Sequence, residues 1–247
     1  MARQQPEQQL PPVQRLRVRY AKRGRLRFTS HRDFSRAFER AVFRARVPMA
    51  YSSGFNPHPR ISYAGAAPTR SASEAEYLEL ALAEVVDPAT VHAALAEALP
   101  DGLDVVEVVE SPGGSLSDLL VASRWRLEVP GARDEVEAEV AAFLDAPEVP
   151  VQRMTKKGLR DLDARAAVHA LTVVDAVVDG LPDGTAPTVR LDLVLRHLVP
   201  AVRPDDVLAG MAAVAGRERA GVPLLTRLGQ GPLDESTGEI GDPLHLA

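Results

Sequence analysis

The chain is expected to fold as an α+β protein built from two ferredoxin-like halves in tandem, and three features of the sequence point there. Short aliphatic and β-branched segments alternate with two helical segments in each half, in the order strand, helix, strand, strand, helix, strand. The run Ser-Pro-Gly-Gly-Ser at 111–115 breaks every periodic pattern and divides the halves. Charge then separates them. Residues 15–70 hold 14 Lys and Arg against only Asp33 and Glu39, whereas residues 71–247 hold 14 against 31 Asp and Glu, although the 247-residue chain carries a net charge of only -5.

Taken in order, residues 1–13 are Gln- and Pro-rich and are expected to be disordered. A basic ferredoxin-like domain follows over 14–110: strand at 15–20, helix at 30–46, strands at 60–65 and 76–85, helix at 89–99 and strand at 103–109. Ser30 is a good N-cap and Asp33, three residues on, completes a capping-box pattern; the helix must stop before Pro48. Residues 111–122 read as a linker. The acidic ferredoxin-like domain, 123–228, shows strand at 124–129, helix at 133–144, strand near 149–154, extended segments at 166–178 and 188–195, helix at 204–214 and strand at 222–228, one strand more than the first half. Lys156, Lys157 and Gly158 form a small basic turn there, which either extends a binding track or closes a hairpin. The tail, 229–247, is rich in Gly, Pro and acids and is expected to be disordered.

Composition excludes several chemistries. There is no cysteine, so disulfides, thiolate catalysis and cysteine-ligated zinc or iron–sulfur sites are ruled out. The six histidines are scattered without an HExxH pattern, and no GxxxxGK[ST], GxGxxG or GxSxG motif occurs, so no metal and no cofactor are expected. No apolar run approaches the roughly 20 residues that span a bilayer, and the start of the chain has no apolar signal core. A cytoplasmic protein without membrane contact is the expectation.

The chemistry concentrates in the basic half. At about 100° per residue, Phe34, Ala37, Phe38, Ala41, Val42 and Ala45 gather on one arc of the first helix while Arg32, Arg36, Arg40 and Arg44 gather on the other, with Phe43 among them. Aromatic rings interleaved with guanidinium groups suit unstacked bases and backbone phosphates together. Lys22, Arg23, Arg25 and Arg27 extend the positive field just before the helix. After it, the segment Tyr-Ser-Ser-Gly-Phe-Asn-Pro-His-Pro-Arg, residues 51–60, reads as a stiff arm: Pro57 and Pro59 fix their own φ and push Asn56 and His58 to extended backbone, while Gly54 supplies the turn. Tyr51, Gly54, Phe55 and Asn56, with Ser30 and Asp33, are candidate positioning residues, and Arg60 a further phosphate contact. His31 and His58 flank the same helix. Two imidazoles near neutrality can serve as general base and general acid in metal-free RNA cleavage through the 2′-hydroxyl.

Over residues 20–64, YAKRGRLRFTSHRDFSRAFERAVFRARVPMAYSSGFNPHPRISYA, the sequence resembles the uncharacterised radical-SAM-associated (radical-SAM-linked) protein family, as a stand-alone member. The phrases K-G-x-x-R-F-x-S-H-x-D, E-R-A-x-R-R-A-x-x-P and Y-S-x-G-F-N-P-H-P recur in order and spacing, and weaker echoes (SEAEYLEL, LDAR, RPDDVL, LTRLG) extend over most of the chain. Arg32 stands where leucine is usual, Phe43 where arginine is frequent and Ala166 where proline is common. The resemblance implies a domain fused behind, or encoded beside, a B12-binding-type radical S-adenosylmethionine protein, often near genes for ribosomal proteins and an E/G-type ribonuclease. Lacking any CxxxCxxC, this chain is not the enzyme that makes the radical.

The expected function is therefore an RNA-binding accessory protein that presents structured RNA, such as tRNA or rRNA, to a separately encoded radical-SAM protein. Two alternatives stand beside it. One is a metal-independent endoribonuclease, similar in plan to the tandem ferredoxin-like enzymes that process CRISPR repeat RNA. The other is a protein adaptor that docks on the radical-SAM enzyme without RNA.

Overall fold

A computed structural model describes residues 8–155, 158–174, 187–218 and 221–245 of an α+β chain. Residues 1–7, at the start of the expected disordered stretch, Lys156 and Lys157 of the basic turn, and 175–178 of an expected extended segment lie outside the described residues. The chain divides into two units, Met1–Leu119 with Leu244–Ala247, and Leu120–Pro243.

In the first unit, alternating aliphatic positions build strand β1 (Gln14–Lys22), a tight 3-10 turn spans Gly24–Phe28, and helix α1 (His31–Arg44) leads to β2 (Ile61–Ala64), β3 (Ala72–Leu82), α2 (Pro88–Ala98), β4 (Leu103–Glu110) and a short α3 (Leu116–Leu119). The strands pair antiparallel in the order β4-β1-β3-β2, with Val18 opposite Leu78 and Leu16 opposite Leu80. One core joins Leu16, Val18 and Tyr20 of β1, Leu78 and Leu80 of β3, Phe34, Phe38 and Val42 of α1 and Val91 and Leu95 of α2. Tyr20 stacks on Phe34 with ring centroids 4.4 Å apart and 5° between planes, an aromatic contact that fixes the inner face of α1 on the sheet.

The opposite face of β1 is withdrawn from water as well. Arg17, 1% exposed, donates to the Gly113 carbonyl at 2.6 Å and lies 3.6 Å from Glu79. The segment read as a linker is thus anchored, with Leu116 and Leu120 buried. Its Pro and Gly content signals a turn, not freedom, because a buried guanidinium needs those carbonyls.

The second unit runs β5 (Ala122–Pro130), α4 (Arg133–Asp145), β6 (Pro150–Thr155), β7 (Gly158–Asp163), α5 (Ala164–Ala167), β8 (Val168–Val174), β9 (Thr188–Arg196), α6 (Pro204–Val214) and β10 (Leu224–Gly231). Its main sheet has the order β10-β5-β9-β8, again antiparallel. The extra strand of the sequence reading is half of a hairpin: β6 pairs β7 as a separate two-stranded sheet, Val151 opposite Leu162 and Arg153 opposite Arg160. Val151 and Leu162 are buried while Met154 and Leu159 are exposed, so only part of the hairpin packs inward. Arg153 pairs with Asp206, whose carboxylate also accepts from the Arg203 N–H at 2.8 Å at the start of α6.

The tail departs from the expectation of disorder. β10 continues to Gly231, Leu233 bridges Ile240, and Asp234 Oδ1 accepts from the Ser236 N–H at 2.8 Å and its hydroxyl at 2.6 Å. Gly, Ser and Asp here build a turn by side-chain-to-backbone bonding, and composition alone does not separate that from disorder. Leu244 is buried in the first unit, where His245 Nε2 meets Glu107 at 2.6 Å. Among the described residues no helix is long and apolar enough to cross a membrane.

Candidate nucleic-acid interface

Helix α1 begins where the sequence places it. The Ser30 hydroxyl accepts from the Asp33 N–H at 3.2 Å and donates to the Asp33 carboxylate at 2.6 Å. The helix ends as Arg46 turns into the left-handed region at φ 52°, with Val47 N–H returning to the Val42 carbonyl at 3.2 Å. Burying Phe34, Phe38, Ala41 and Val42 rotates the complementary arc outward, so Arg32, Arg36, Arg40, Phe43 and Arg44 are exposed. Phe43 is 80% exposed, an unusual position for a large ring.

The arm after α1 is pinched shut by its own backbone. Ser52 N–H reaches the His58 carbonyl at 2.9 Å, the His58 N–H reaches Ser52 Oγ at 3.0 Å, and Tyr51 bridges Pro59. Arg60 N–H bonds the Ala50 carbonyl at 2.9 Å, and Ala50 N–H in turn bonds Ala81 of β3 at 2.8 Å. The rigidity thus comes from Ser52 and the β3 ladder together with the prolines. Gly54, at φ 127°, makes the turn, and Phe55, Asn56 and His58 stand exposed around it.

Between the outer face of α1 and this arm lies a groove of about 740 Å³ lined by Arg36, Glu39, Arg40, Phe43, Arg44, Tyr51 and Pro59. Arg44 is steadied by donating to the Ala98 carbonyl at 2.6 Å. Among the described residues, Arg32, Arg36 and Arg40 make no ion pair and no hydrogen bond through their side chains, so these guanidinium groups face solvent uncompensated. Glu39 and Pro59 are groove residues that the sequence reading missed. The signal for Glu39 was present: it precedes Phe43 by four residues and shares its helix face.

Other candidates fall elsewhere. Lys22 is only 5% exposed, so it is not part of an open basic surface. Arg23 Nε donates to Glu74 at 2.8 Å and its Nη1 to Asp104 at 2.8 Å; the Glu74 hydrogen bond above all holds its guanidinium protonated beyond the ordinary range. Its charge is therefore spent inside the unit. Arg25 is exposed, and Arg27 lies over the Phe28 ring at 4.9 Å. Arg60 is half-buried. His31 meets Tyr63 edge-on, ring centroids 5.1 Å apart, and burial pushes the Tyr63 phenol up to about 12 against the effect of the neighbouring Ser35 hydroxyl. His31 and His58 are both exposed, and neither lines the groove.

Residues 15–204 match the model of a family described as "Uncharacterized protein conserved in bacteria (DUF2344)". The chain belongs to this family. The DUF2344 match runs from β1 to the first residue of α6 and so contains every groove residue. No curated protein matches the chain. Among solved structures it is similar to an unknown protein from Galdieria sulphuraria, at 15% identity over 87% of this chain and 98% of that one, with a TM-score of 0.23. It is also similar to the encapsulated DyP-type peroxidase from Mycobacterium smegmatis, at 11% identity over 89% of this chain and 94% of that one, with a TM-score of 0.20. Likeness at these scores carries no argument about the fold or chemistry of this DUF2344 member.

Proposed function

We propose that this chain is a cytoplasmic RNA-binding accessory protein that works with a separately encoded radical-SAM protein in modifying or processing a structured RNA such as tRNA or rRNA. One observation carries the RNA half of the reading. Arg32, Arg36 and Arg40 stand unpaired along one face of α1 beside two aromatic rings, while Arg15 and Arg23 of the same unit are paired with Glu79, Glu74 and Asp104. Cations at i, i+4 spacing repel one another along a helix by a few tenths of a kcal/mol per pair, and Arg32 sits near the positive end of the helix dipole. An arrangement that costs helix stability gains it back when a polyanion arrives.

Two further supports differ in kind. Each unit runs strand, helix, strand, strand, helix, strand with the sheet order fourth-first-third-second, once the β6–β7 hairpin is set aside, which supports a tandem ferredoxin-like plan. The radical-SAM partner rests on the resemblance of residues 20–64 alone. Binding is favoured over cleavage because the groove takes in neither His31 nor His58.

Filter-binding titration against total RNA tests the proposal. Binding at low salt that weakens steeply as salt rises is expected, since each phosphate contact releases counterions, and replacing Arg36 and Arg40 by Ala weakens it across RNA sequences. Absence of binding at low salt, or a flat salt dependence, ends the proposal. Co-purification with the radical-SAM protein that survives nuclease treatment, with no RNA binding, selects the protein-adaptor reading.

A further inference from the structure

The groove beside α1 has a composition more specific than a phosphate track. We propose that it holds a single unstacked nucleobase of a single-stranded RNA segment against Phe43 and Tyr51, with Glu39 reading the edge of the base and Arg36, Arg40 and Arg44 holding the flanking phosphates. This inference rests on the RNA-binding reading above and narrows it to a substrate class.

Four observations point to a base. Phe43 is 80% exposed and Tyr51 39% exposed, both line the same groove, and among the described residues neither ring stacks on another ring. Two solvent-exposed rings lining one groove, one on the helix and one on the pinched arm, leave π faces for a ligand. Second, the groove volume of about 740 Å³ is open enough for a nucleotide and part of its backbone. Third, Glu39 and Phe43 are four residues apart on α1 and therefore neighbours on its surface. A base stacked on Phe43 presents its edge toward the Glu39 carboxylate, which only accepts hydrogen bonds; it favours the exocyclic amino group of cytosine or adenine over the carbonyl of uracil. A carboxylate also disfavours bare phosphate at that spot, so an anion alone leaves it unexplained.

Fourth, the sheet surface is not available for stacking in this unit. The face of β1 and β3 opposite the helices carries Arg17, Tyr77 and Ala81, all buried. Stacking on that sheet face, the usual arrangement for small α+β RNA-binding domains, is therefore closed, and the groove offers two exposed rings together. The arginine ladder runs about 12 Å from Arg36 to Arg44 at ~1.5 Å per residue, enough to follow a short run of backbone on either side of the seated base.

The probe is a single-stranded RNA of about 12 nucleotides, within the span that one single-strand-binding module covers. It carries one central 2-aminopurine, and two companions carry an abasic site or are annealed into a duplex. The expected results are quenching of 2-aminopurine fluorescence on binding, roughly ten-fold weaker binding of the abasic strand, and weaker binding of the duplex. Phe43→Leu, at an exposed position that leaves the core untouched, abolishes the quenching and weakens binding roughly ten-fold, while Glu39→Gln narrows the preference for cytosine over uracil. Equal, salt-sensitive binding of intact and abasic strands, unaltered by Phe43→Leu, overturns the base slot and leaves RNA binding standing. No binding of any RNA at low salt overturns the RNA-binding reading itself. If in that case Phe43→Leu abolishes binding of the purified radical-SAM protein, the groove is a protein dock.

Discussion

At the residue scale, the clearest contrast is between cations that stand open and cations that are spent. Ser30, Asp33 and the α1 arginines were legible because their roles follow from spacing within one helix. Lys22 and Arg23 were not. Arg23 meets Glu74 and Asp104, 51 and 81 residues away, and no local pattern encodes such pairings. His197 shows the same blindness in the second unit. Its Nδ1 donates to the Leu120 carbonyl at 2.6 Å, and its Nε2 takes the Ser123 hydroxyl at 2.9 Å, whose oxygen accepts from the Trp125 indole at 2.8 Å. Burial first, with the Arg227 charge opposing protonation as well, holds this imidazole below its ordinary value even though the Leu120 bond works the other way. The unfolded chain takes up a proton near pH ~6.5 that the folded chain refuses, so this contribution to stability is full above that pH and is lost as pH falls toward the lowered folded value. Melting temperature is expected to drop on acidification below pH ~6.5, and His197→Gln is expected to flatten the drop. An unchanged pH profile in that variant contradicts the neutral, buried assignment.

At the element scale, α1 trades stability for an open positive face. Arg40 has a like charge four residues away on either side, each pair worth about 0.2–0.5 kcal/mol of repulsion. Arg40→Gln is therefore expected to leave the urea midpoint unchanged or slightly raised while RNA affinity falls; a lowered midpoint would show that Arg40 is a structural residue. Helix α6 illustrates the opposite case, a position fixed by packing. A Cβ at Gly210 would lie 2.7 Å from Val149 Cγ1 and 3.2 Å from Phe143 Cε2, so Gly210→Ala overpacks the contact with α4 and with Val149 just before β6 by about 1–3 kcal/mol, set against the ~1 kcal/mol gained in helix propensity. A net loss of stability in urea denaturation is expected, and a gain refutes that packing. The four long helices were legible from their length and start signals over 11 to 14 residues, whereas the four-residue α3 and α5, in stretches read as linker and extended chain, were not. The β6–β7 hairpin was legible only as an alternative, since six-residue strands carry little periodicity and the choice of partner strand is a tertiary matter.

At the scale of the whole molecule, the charge division of the sequence remains the organising fact, but its net value overstated the open surface. Of the basic residues in the first unit, Arg15, Arg17 and Arg23 pair with carboxylates of that unit and Lys22 is buried, leaving the positive field concentrated on α1 and its neighbouring turn. The groove itself was half legible: Phe43 and Tyr51 stood out as residues, while the groove they line with Pro59 depends on how the arm folds back on β3. The measurement that tests this most directly is the salt dependence of RNA affinity in the intact chain, compared with a variant in which Arg36 and Arg40 are both Ala. Two lost phosphate contacts lower the slope of log affinity against log salt by about 1.4 for a single strand. A slope left unchanged by the double substitution contradicts the assignment of the α1 face as the polyanion surface.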